Sequence, residues 1–191
     1  IPIFLQIGLS YLDKGLFTDL IYVDTHAGPG LAKVGPSEDD VVPGSPFIAL
    51  RWPDVIAEKR RTFKKISRGF TKYILIEKDP DIFRVLKRVV DRIKGKRDVE
   101  VICKDSNIVL KSLAKRFGRD RKPLILLFID PFGELESQLT FSSLKELLDN
   151  VRGVDIVMNV MSGMLARGLT TLAKESYEKY RQWIKKLFDE V

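Results

Sequence analysis

The fold of this chain is constrained most by a repeated alternation, in which short apolar runs are separated by longer amphipathic or polar stretches. The run at 124–129 is unbroken, as expected for a central parallel strand that is buried on both faces. Strands that alternate with helical patterns indicate βαβ units. The sequence therefore predicts an α/β fold, with a doubly wound, mainly parallel sheet and helices on both faces. The five predicted strands lie at 20–25, 73–76, 99–103, 124–129 and 154–160.

The stretches between these strands carry helix start signals and apolar residues at helical spacing. Ser45 is predicted to cap a helix that runs to residue 51, and 31–43, with its glycine, prolines and acids, is predicted to be a loop. The first two strands lie about 50 residues apart, against about 20 in a simple dinucleotide-binding fold, so 31–70 is predicted to be an insertion. Further helices are predicted at 53–70, from Asp79-Pro80, from Asp105 or Ser106, at 141–148 and at 170–189.

Composition excludes several classes of protein. The 191 residues show no internal repeat or interdomain linker, which predicts a single domain over 1–191. No apolar run approaches the roughly 20 residues that cross a bilayer and no secretory signal opens the chain, so a cytoplasmic protein is expected. One cysteine and one histidine leave neither an intrachain disulfide nor a Cys/His zinc cluster, and no metal site is predicted. The start at Ile1, within a helical pattern, predicts a fragment that lacks its true termini.

The positive charge of the chain is clustered. Lysine and arginine number 33 against 26 acidic residues, which gives a formal net charge of +7. Basic clusters suit the phosphates of nucleic acid, because neutralising the backbone dominates that kind of affinity, so RNA or DNA is a candidate partner. The alternative is a set of solvated helix faces and loops. The clusters lie at Lys59–Lys72, Arg84–Arg97 and Lys111–Lys122.

In doubly wound sheets, ligands bind outside the carboxyl ends of the strands. The first predicted strand leads through Asp24 into a loop with Gly28 and Gly30, where glycine lets the backbone approach a nucleotide or amino-acid moiety. The match to G-x-G-x-x-G is incomplete because Lys33 replaces the third glycine, and a tight turn explains the loop about as well. His26, in the same loop, is more typical of a structural donor than of a catalyst.

Acidic side chains follow the next two strands. Glu77 is placed to accept both ribose hydroxyls of an adenosine, or to add negative charge before the helix that starts at Asp79. Asp105 and Ser106 are placed to receive an adenine amino group, or simply to cap the following helix.

The segment Asp130-Pro131-Phe132-Gly133 follows the buried fourth strand. A carboxylate at this position can accept a hydrogen bond from a target amine, and the aromatic side chain can stack on a flipped base. The alternative is an ordinary turn, because proline and glycine are turn formers.

Together these segments make an ordered set of five motifs. They read YVDTHAGPG at 22–30, GSP at 44–46, IEKDP at 76–80, KDSN at 104–107 and IDPFG at 129–133. In this set the chain resembles the three-Cys-motif partner protein family of S-adenosylmethionine-dependent methyltransferase-like proteins. The resemblance implies a Rossmann-like methyltransferase fold, S-adenosylmethionine as cofactor, and a neighbouring protein with three cysteines as partner.

The chain is also similar, more distantly, to the bacterial large-subunit ribosomal RNA adenine-N6 methyltransferase family, which shares the D-T-H-A-G loop and the G-S-P segment and has a D-P-P-Y turn. This resemblance implies that Asp130 lies at the target amine. Here Phe132 replaces the second proline of that turn and Gly133 the aromatic, so the aromatic is displaced by one position. The cofactor contacts that the resemblance implies are His26, Ser45, Glu77, Asp105 and Ser106.

The leading hypothesis is therefore an S-adenosylmethionine-dependent methyltransferase that acts on an amino group in nucleic acid. In this hypothesis the methionine part of the cofactor lies over Asp24–Gly30 and Ser45. The ribose lies on Glu77 and the adenine near Asp105-Ser106.

On the substrate side, Asp130 is expected to hold the attacking amine, with the Pro131 carbonyl as second acceptor and Phe132 beside it. A non-catalytic nucleotide-binding partner of a three-cysteine-motif protein is the alternative, which the altered turn favours. A nicotinamide oxidoreductase is disfavoured by the missing third glycine and by the insertion.

Overall fold

The computed structural model describes residues 2–37, 40–58, 68–118, 121–130 and 139–159. Within these ranges, strands and helices alternate along the chain. The helices are α1 (Pro2–Asp13), α2 (Ser45–Glu58), α3 (Pro80–Ile93), α4 (Ser106–Arg116) and α5 (Phe141–Asn150). The strands are β1 (Asp19–Asp24), β2 (Leu31–Lys33), β3 (Val41–Pro43), β4 (Lys72–Ile76), β5 (Val99–Ile102), β6 (Pro123–Ile129) and β7 (Gly153–Met158).

Five of the strands form one parallel sheet in the order β5-β4-β1-β6-β7. The chain moves outward from β1 through β4 to β5, and then returns past β1 to form β6 and β7. The strand order therefore reverses between β1 and β6, where doubly wound sheets open a ligand crevice at their carboxyl edge. All five predicted strands are confirmed. The largest difference is at β7, which ends at Met158 and not at residue 160.

Helices cover both faces of this sheet. On one face α1, α2 and α3 pack against alternate strand side chains, such as Tyr22 and Leu75. On the other face α4 and α5 pack against the intervening side chains, such as Val23 and Ile74. The central strand β6 is buried along nearly its whole length, as its unbroken apolar run predicts. The predicted α/β class, a doubly wound parallel sheet with helices on both faces, is confirmed.

The segment between β1 and α2 differs from its prediction. The sequence predicts a loop over 31–43, but β2 and β3 pair there as an antiparallel hairpin. Each of these strands has only three residues, which is too short to produce a recognisable period of two. The hairpin is closed at its base, where the backbone N–H of Gly44 donates to the carbonyl of Gly30 (2.8 Å).

The start of α2 also differs from its prediction. The backbone N–H of Ile48 donates to the Gly44 carbonyl (3.0 Å), so Gly44 is the N-cap and Ser45 is the first helical residue. The Ser45 hydroxyl donates instead to a buried carboxylate at the end of β1. A long-range contact therefore overrides the local capping preference of serine.

Helix α2 continues beyond the predicted break. The sequence predicts separate helices over 45–51 and 53–70, but Ser45–Glu58 is one helix that contains Pro53. A proline inside a helix removes one backbone donor, and the Pro53 side chain gains burial in return. Residues 59–67 lie outside the described residues.

Side-chain caps start α3, α4 and α5. The Asp79 carboxylate accepts the backbone N–H groups of Asp81 (2.8 Å) and Ile82 (3.0 Å), and these bonds hold the pKa of Asp79 below its ordinary value. Asp105 caps α4 and Thr140 caps α5 in the same way. The helix starts predicted at Asp79-Pro80 and at Asp105 are confirmed.

None of the helices within the described ranges is long and apolar enough to cross a membrane. The helix predicted at 170–189 lies outside those ranges, as do residues 131–138.

Candidate functional site

A pocket of about 430 Å³ opens at the carboxyl edge of the sheet, at the ends of β1, β4 and β6. This is the edge at which the strand order reverses, so the pocket lies where doubly wound folds bind their ligands. The loop after β1, the base of the hairpin and the first turns of α2, α3 and α4 form its walls. Its lining residues are 25–32, Gly44, Ser45, 76–79, Ile82, Asp105, Ser106 and Asp130.

The glycine loop forms the wall nearest to β1. Gly28 (φ 58°) and Gly30 (φ 79°) adopt left-handed conformations, which side chains other than glycine rarely take. The backbone N–H of Ala27 donates to the Ile76 carbonyl (2.9 Å), so the loop is tied to the end of β4. A Cβ on Gly30 would also lie 3.3 Å from the Leu86 side chain. At its two glycines the loop therefore presents only backbone atoms to the pocket.

Asp24, at the end of β1, is fully buried behind this loop. Its carboxylate accepts hydrogen bonds from the Ser45 hydroxyl (2.6 Å), the Tyr22 hydroxyl (3.1 Å) and the His26 backbone N–H (3.2 Å). These bonds join β1, α2 and the glycine loop at one point. Asp24 does not itself line the pocket, so its observed contacts are those of a residue that holds the pocket wall. Its predicted contact with a cofactor stays a prediction.

The three donors to Asp24 are neutral groups, and the carboxylate is removed from water. Desolvation raises the pKa of Asp24 from 3.8 to about 6, and the hydrogen bonds from Ser45, His26 and Tyr22 offset only part of that rise. The negative charge of Asp130 raises the pKa slightly further. Burial and the neighbouring Asp24 raise the pKa of Tyr22 well above its ordinary value.

Thr25 and His26 link the glycine loop to β6. The Thr25 hydroxyl donates to the Phe128 carbonyl (3.1 Å) and lies 2.8 Å from Nδ1 of His26. Donation to Phe128 uses the one hydrogen of the hydroxyl, so both contacts form together in the His26 tautomer that carries its proton on Nδ1. His26 lines the pocket, and its role as a structural donor stays a prediction.

Glu77 connects the end of β4 to the glycine loop. Its Oε2 accepts the backbone N–H of Gly28 (3.1 Å), and its Oε1 accepts that of Asp79 (2.8 Å). Each carboxylate oxygen has two lone pairs, so both oxygens retain capacity for a ligand hydroxyl. The two backbone hydrogen bonds fix the orientation of the Glu77 carboxylate, which is the predicted acceptor of the ribose hydroxyls. The bond from Asp79 also holds this negative charge just before α3, as in the alternative interpretation.

Asp105 and Ser106 connect α4 to the same site. One oxygen of Asp105 accepts the backbone N–H of Asn107 (2.8 Å), which confirms the capping role. The hydroxyl of the buried Ser106 donates to the Thr25 carbonyl and so ties α4 to the first loop. Both residues line the pocket. Their remaining lone pairs are compatible with a ligand amino group, which only donates.

Asp130 directly follows β6 and lines the pocket, and the sequence prediction missed its neighbour. The side-chain amide of Asn159, just beyond β7, donates to Oδ1 of Asp130 (2.9 Å), while its backbone N–H donates to the Ile129 carbonyl (2.8 Å). The sequence predicts a strand that runs through residue 159, so Asn159 was not expected to lie beyond a strand end. Because β7 ends at Met158, Asn159 follows the strand, in the position where side chains of doubly wound folds contact ligands.

The pocket brings together predicted site residues from five separate segments of the chain. Asp24 lies behind its wall, and Pro131 and Phe132 lie outside the described residues. The role of each residue toward a ligand stays a prediction. The predicted residues that line the pocket are His26, Gly28, Gly30, Ser45, Glu77, Asp105, Ser106 and Asp130. The lining residues that the prediction missed include Gly44 and Ile82, which lie beside predicted ones.

The basic clusters lie partly within the described ranges. On α3 the side chains of Arg84, Lys87, Arg88 and Arg92 are exposed, and Ile82 from the same helix lines the pocket. Most of the cluster at Lys59–Lys72 lies outside the described residues, and contact with nucleic acid stays a prediction. Among the residues that the structure describes, no group of three or more His, Cys, Asp or Glu side chains could hold a metal ion.

Three solved structures are similar to this chain in fold. Protein LPL1258 from Legionella pneumophila, of the family DUF519, matches with a TM-score of 0.48 and 17% identity, over 95% of this chain and 72% of that one. A conserved hypothetical protein from Streptococcus pyogenes has a TM-score of 0.41 and 15% identity, over 78% and 69%. The Escherichia coli protein yhhF, named as a candidate methyltransferase, has a TM-score of 0.39 and 14% identity, over 82% and 73%.

No protein-family model matches the chain, and no curated protein matches it. The resemblance to the three-Cys-motif partner family therefore stays a prediction. The sheet order β5-β4-β1-β6-β7 is that of a doubly wound parallel fold, and the predicted fold class is established at this level.

Proposed function

We propose that the chain is an S-adenosylmethionine-dependent methyltransferase that acts on an amino group in nucleic acid. The observation that carries the proposal is the acidic lining of the pocket. Four carboxylates line it, and Lys78 is the only lysine or arginine among its described lining residues. Asp24 adds a further carboxylate behind the wall. The four lining carboxylates belong to Glu77, Asp79, Asp105 and Asp130.

This charge distribution supports S-adenosylmethionine over a dinucleotide. S-adenosylmethionine carries a sulfonium, an ammonium and one carboxylate group, so it is a net cation, and an acidic pocket attracts it. The pyrophosphate of NAD carries two negative charges, which the lining carboxylates would repel. The volume of about 430 Å³ also lies within the range of roughly 300–1,000 Å³ typical of small-molecule sites.

The residues present fit the parts of the cofactor separately. Glu77, held by two backbone N–H groups, has lone pairs for the ribose hydroxyls. Asp105 and Ser106 have acceptors for the adenine amino group, and the glycine loop allows the methionine part to lie close to the backbone. When bound, S-adenosylmethionine supplies an activated methyl group. Asp130, which also lines the pocket, is placed to hold the amine that receives it.

Nucleic acid is the proposed substrate because of the exposed basic clusters. The exposed lysines and arginines on α3 and α4 would contact phosphates, while Asp130 would contact the target base. Phosphate contacts of this kind give affinity for nucleic acid of any base sequence. The pocket would then select the amino group that is methylated.

The test is incubation of the protein with S-adenosylmethionine labelled in its methyl group and with RNA or DNA, followed by digestion to nucleosides. We expect label in an N-methylated nucleoside, with incorporation that falls as salt rises. Binding of S-adenosylmethionine without incorporation into either nucleic acid would favour the non-catalytic partner, which the displaced aromatic of the Asp-Pro-Phe-Gly motif suggests. Tighter binding of NAD would favour an oxidoreductase.

A further inference from the structure

Asn159 is the polar neighbour of Asp130 that the proposed function does not yet use. It follows β7, the strand next to β6 in the sheet, and both residues lie at carboxyl strand ends. Two hydrogen bonds hold it in place: the backbone N–H donates to Ile129, and the side chain donates to Asp130. Asn159 is exposed and Asp130 is half-buried, so the pair lies at an accessible rim and not in the core.

The chemistry of the two groups fixes the orientation of the amide. A carboxylate accepts hydrogen bonds and does not donate, so the amide must present its nitrogen to Asp130. The amide oxygen of Asn159 takes no part in this bond and can accept a hydrogen bond from a ligand. One oxygen of Asp130, Oδ2, is likewise not used in this bond. Asp130 lines the pocket and Asn159 lies beside it, so two acceptor groups follow neighbouring strands at the same edge of the sheet.

We propose that Asn159 positions Asp130 and supplies a second acceptor, so that the site selects a primary amino group. An exocyclic amine has two N–H donors, and two acceptors can hold both of them. A hydroxyl has one donor, and a dimethylated amine has none, so neither satisfies both acceptors. This inference rests on the proposed function and assigns the selection of its exocyclic NH2 group to Asn159 together with Asp130.

Nuclear magnetic resonance of the side-chain amides tests the contact itself. The chain has three asparagines, Asn107, Asn150 and Asn159, so the Asn159 signal can be assigned from its loss in Asn159→Leu. We expect Asp130→Ala to move the Asn159 amide signal. The Asn150 amide donates to the Glu146 carbonyl on α5 and is the internal control that should not move. An unmoved Asn159 signal would overturn the contact.

Nucleoside titrations test the selection of the amine. With the cofactor pocket saturated by S-adenosylhomocysteine, adenosine or cytidine should shift the Asn159 signal. Uridine and N6,N6-dimethyladenosine should leave it in place. Equal shifts with uridine, or no shift with any nucleoside, would overturn the inference. If S-adenosylhomocysteine does not bind, the proposed function fails, and the same titrations without it still decide the role of Asn159.

Kinetics separate a positioning role from a structural one. For Asn159→Leu, kcat for RNA methylation should fall by about 10- to 100-fold, because a small displacement of a positioning group is costly. The KM for S-adenosylmethionine and the melting temperature should stay close to those of the unchanged protein. An unchanged kcat, or a higher KM for S-adenosylmethionine as the only effect, would contradict the positioning role.

Discussion

Asp130→Ala should lower kcat for methyl transfer to nucleic acid by about 100- to 10,000-fold, which is the range for removal of a group that acts directly on the reacting proton or charge. Asp130 lines the pocket at the end of β6, and Asn159 fixes its carboxylate. The amine would lose the acceptor that orients its lone pair, whereas the cofactor contacts at Glu77 and Asp105 would remain. The expected pattern is therefore a lower kcat with little change in affinity for S-adenosylmethionine.

The matched control for this prediction is Asp155→Ala. Asp155 is an exposed residue on β7, the strand next to Asp130, and it pairs in register with Leu126, several residues before the carboxyl edge. The same substitution there should leave transfer unchanged. The measurement is label incorporation at saturating cofactor. Retention of more than about half of the activity in Asp130→Ala would remove Asp130 from the mechanism, because a direct role costs at least about 100-fold.

Asp24 should make the stability of the protein fall as the pH rises from about 4 to about 6. The folded-state pKa is raised, from 3.8 to about 6. Between these values the folded state binds a proton that the unfolded state has lost, so the free energy of unfolding decreases with pH. One pKa unit is worth about 1.4 kcal/mol, which makes the total decrease about 3 kcal/mol. Below about pH 3 the carboxyl is protonated in both states, and above about pH 7 it is ionised in both.

Urea unfolding of the protein and of Asp24→Asn across pH 3 to 7.5 measures this decrease as the difference between the two proteins, because all other carboxylates are common to both. The stability advantage of the protein over Asp24→Asn should shrink by about 3 kcal/mol over this range and then stay constant. Asp155→Asn, at an exposed position, should show no such trend. A difference that is flat with pH, or that grows, would show that Asp24 is not a buried carboxylate with a raised pKa.

The sheet could be predicted because its signal is strong and local. A strand buried on both faces must be apolar along its length, and 124–129 is unbroken. The predicted helix starts after β4 and β5 depend on capping by Asp79 and Asp105, which is also local. The hairpin was missed because three-residue strands carry no period.

The candidate site was predicted less completely because its connections are long-range. Ser45 resembles an N-cap in sequence, and only the fold places a buried carboxylate within 2.6 Å of its hydroxyl. The burial of Asp24, and hence its raised pKa, depends on α2 and the glycine loop packing over it. Asn159 was missed because the predicted end of β7 was two residues too late. With the observed end at Met158, Asn159 lies just beyond a strand, where doubly wound folds bind ligands.

The central claim is that the acidic pocket binds S-adenosylmethionine with its ribose on Glu77. Calorimetric titration of the protein and of Glu77→Gln with S-adenosylmethionine, S-adenosylhomocysteine and NAD tests it, with Glu146→Gln on α5 as the matched control. We expect roughly micromolar binding of the first two ligands and far weaker binding of NAD. Glu77→Gln should weaken S-adenosylmethionine binding by about 10- to 100-fold, because hydrogen bonds to a charged group are worth about 1.5–3 kcal/mol. Tighter binding of NAD than of S-adenosylmethionine, or an affinity that Glu77→Gln leaves unchanged, would contradict the claim.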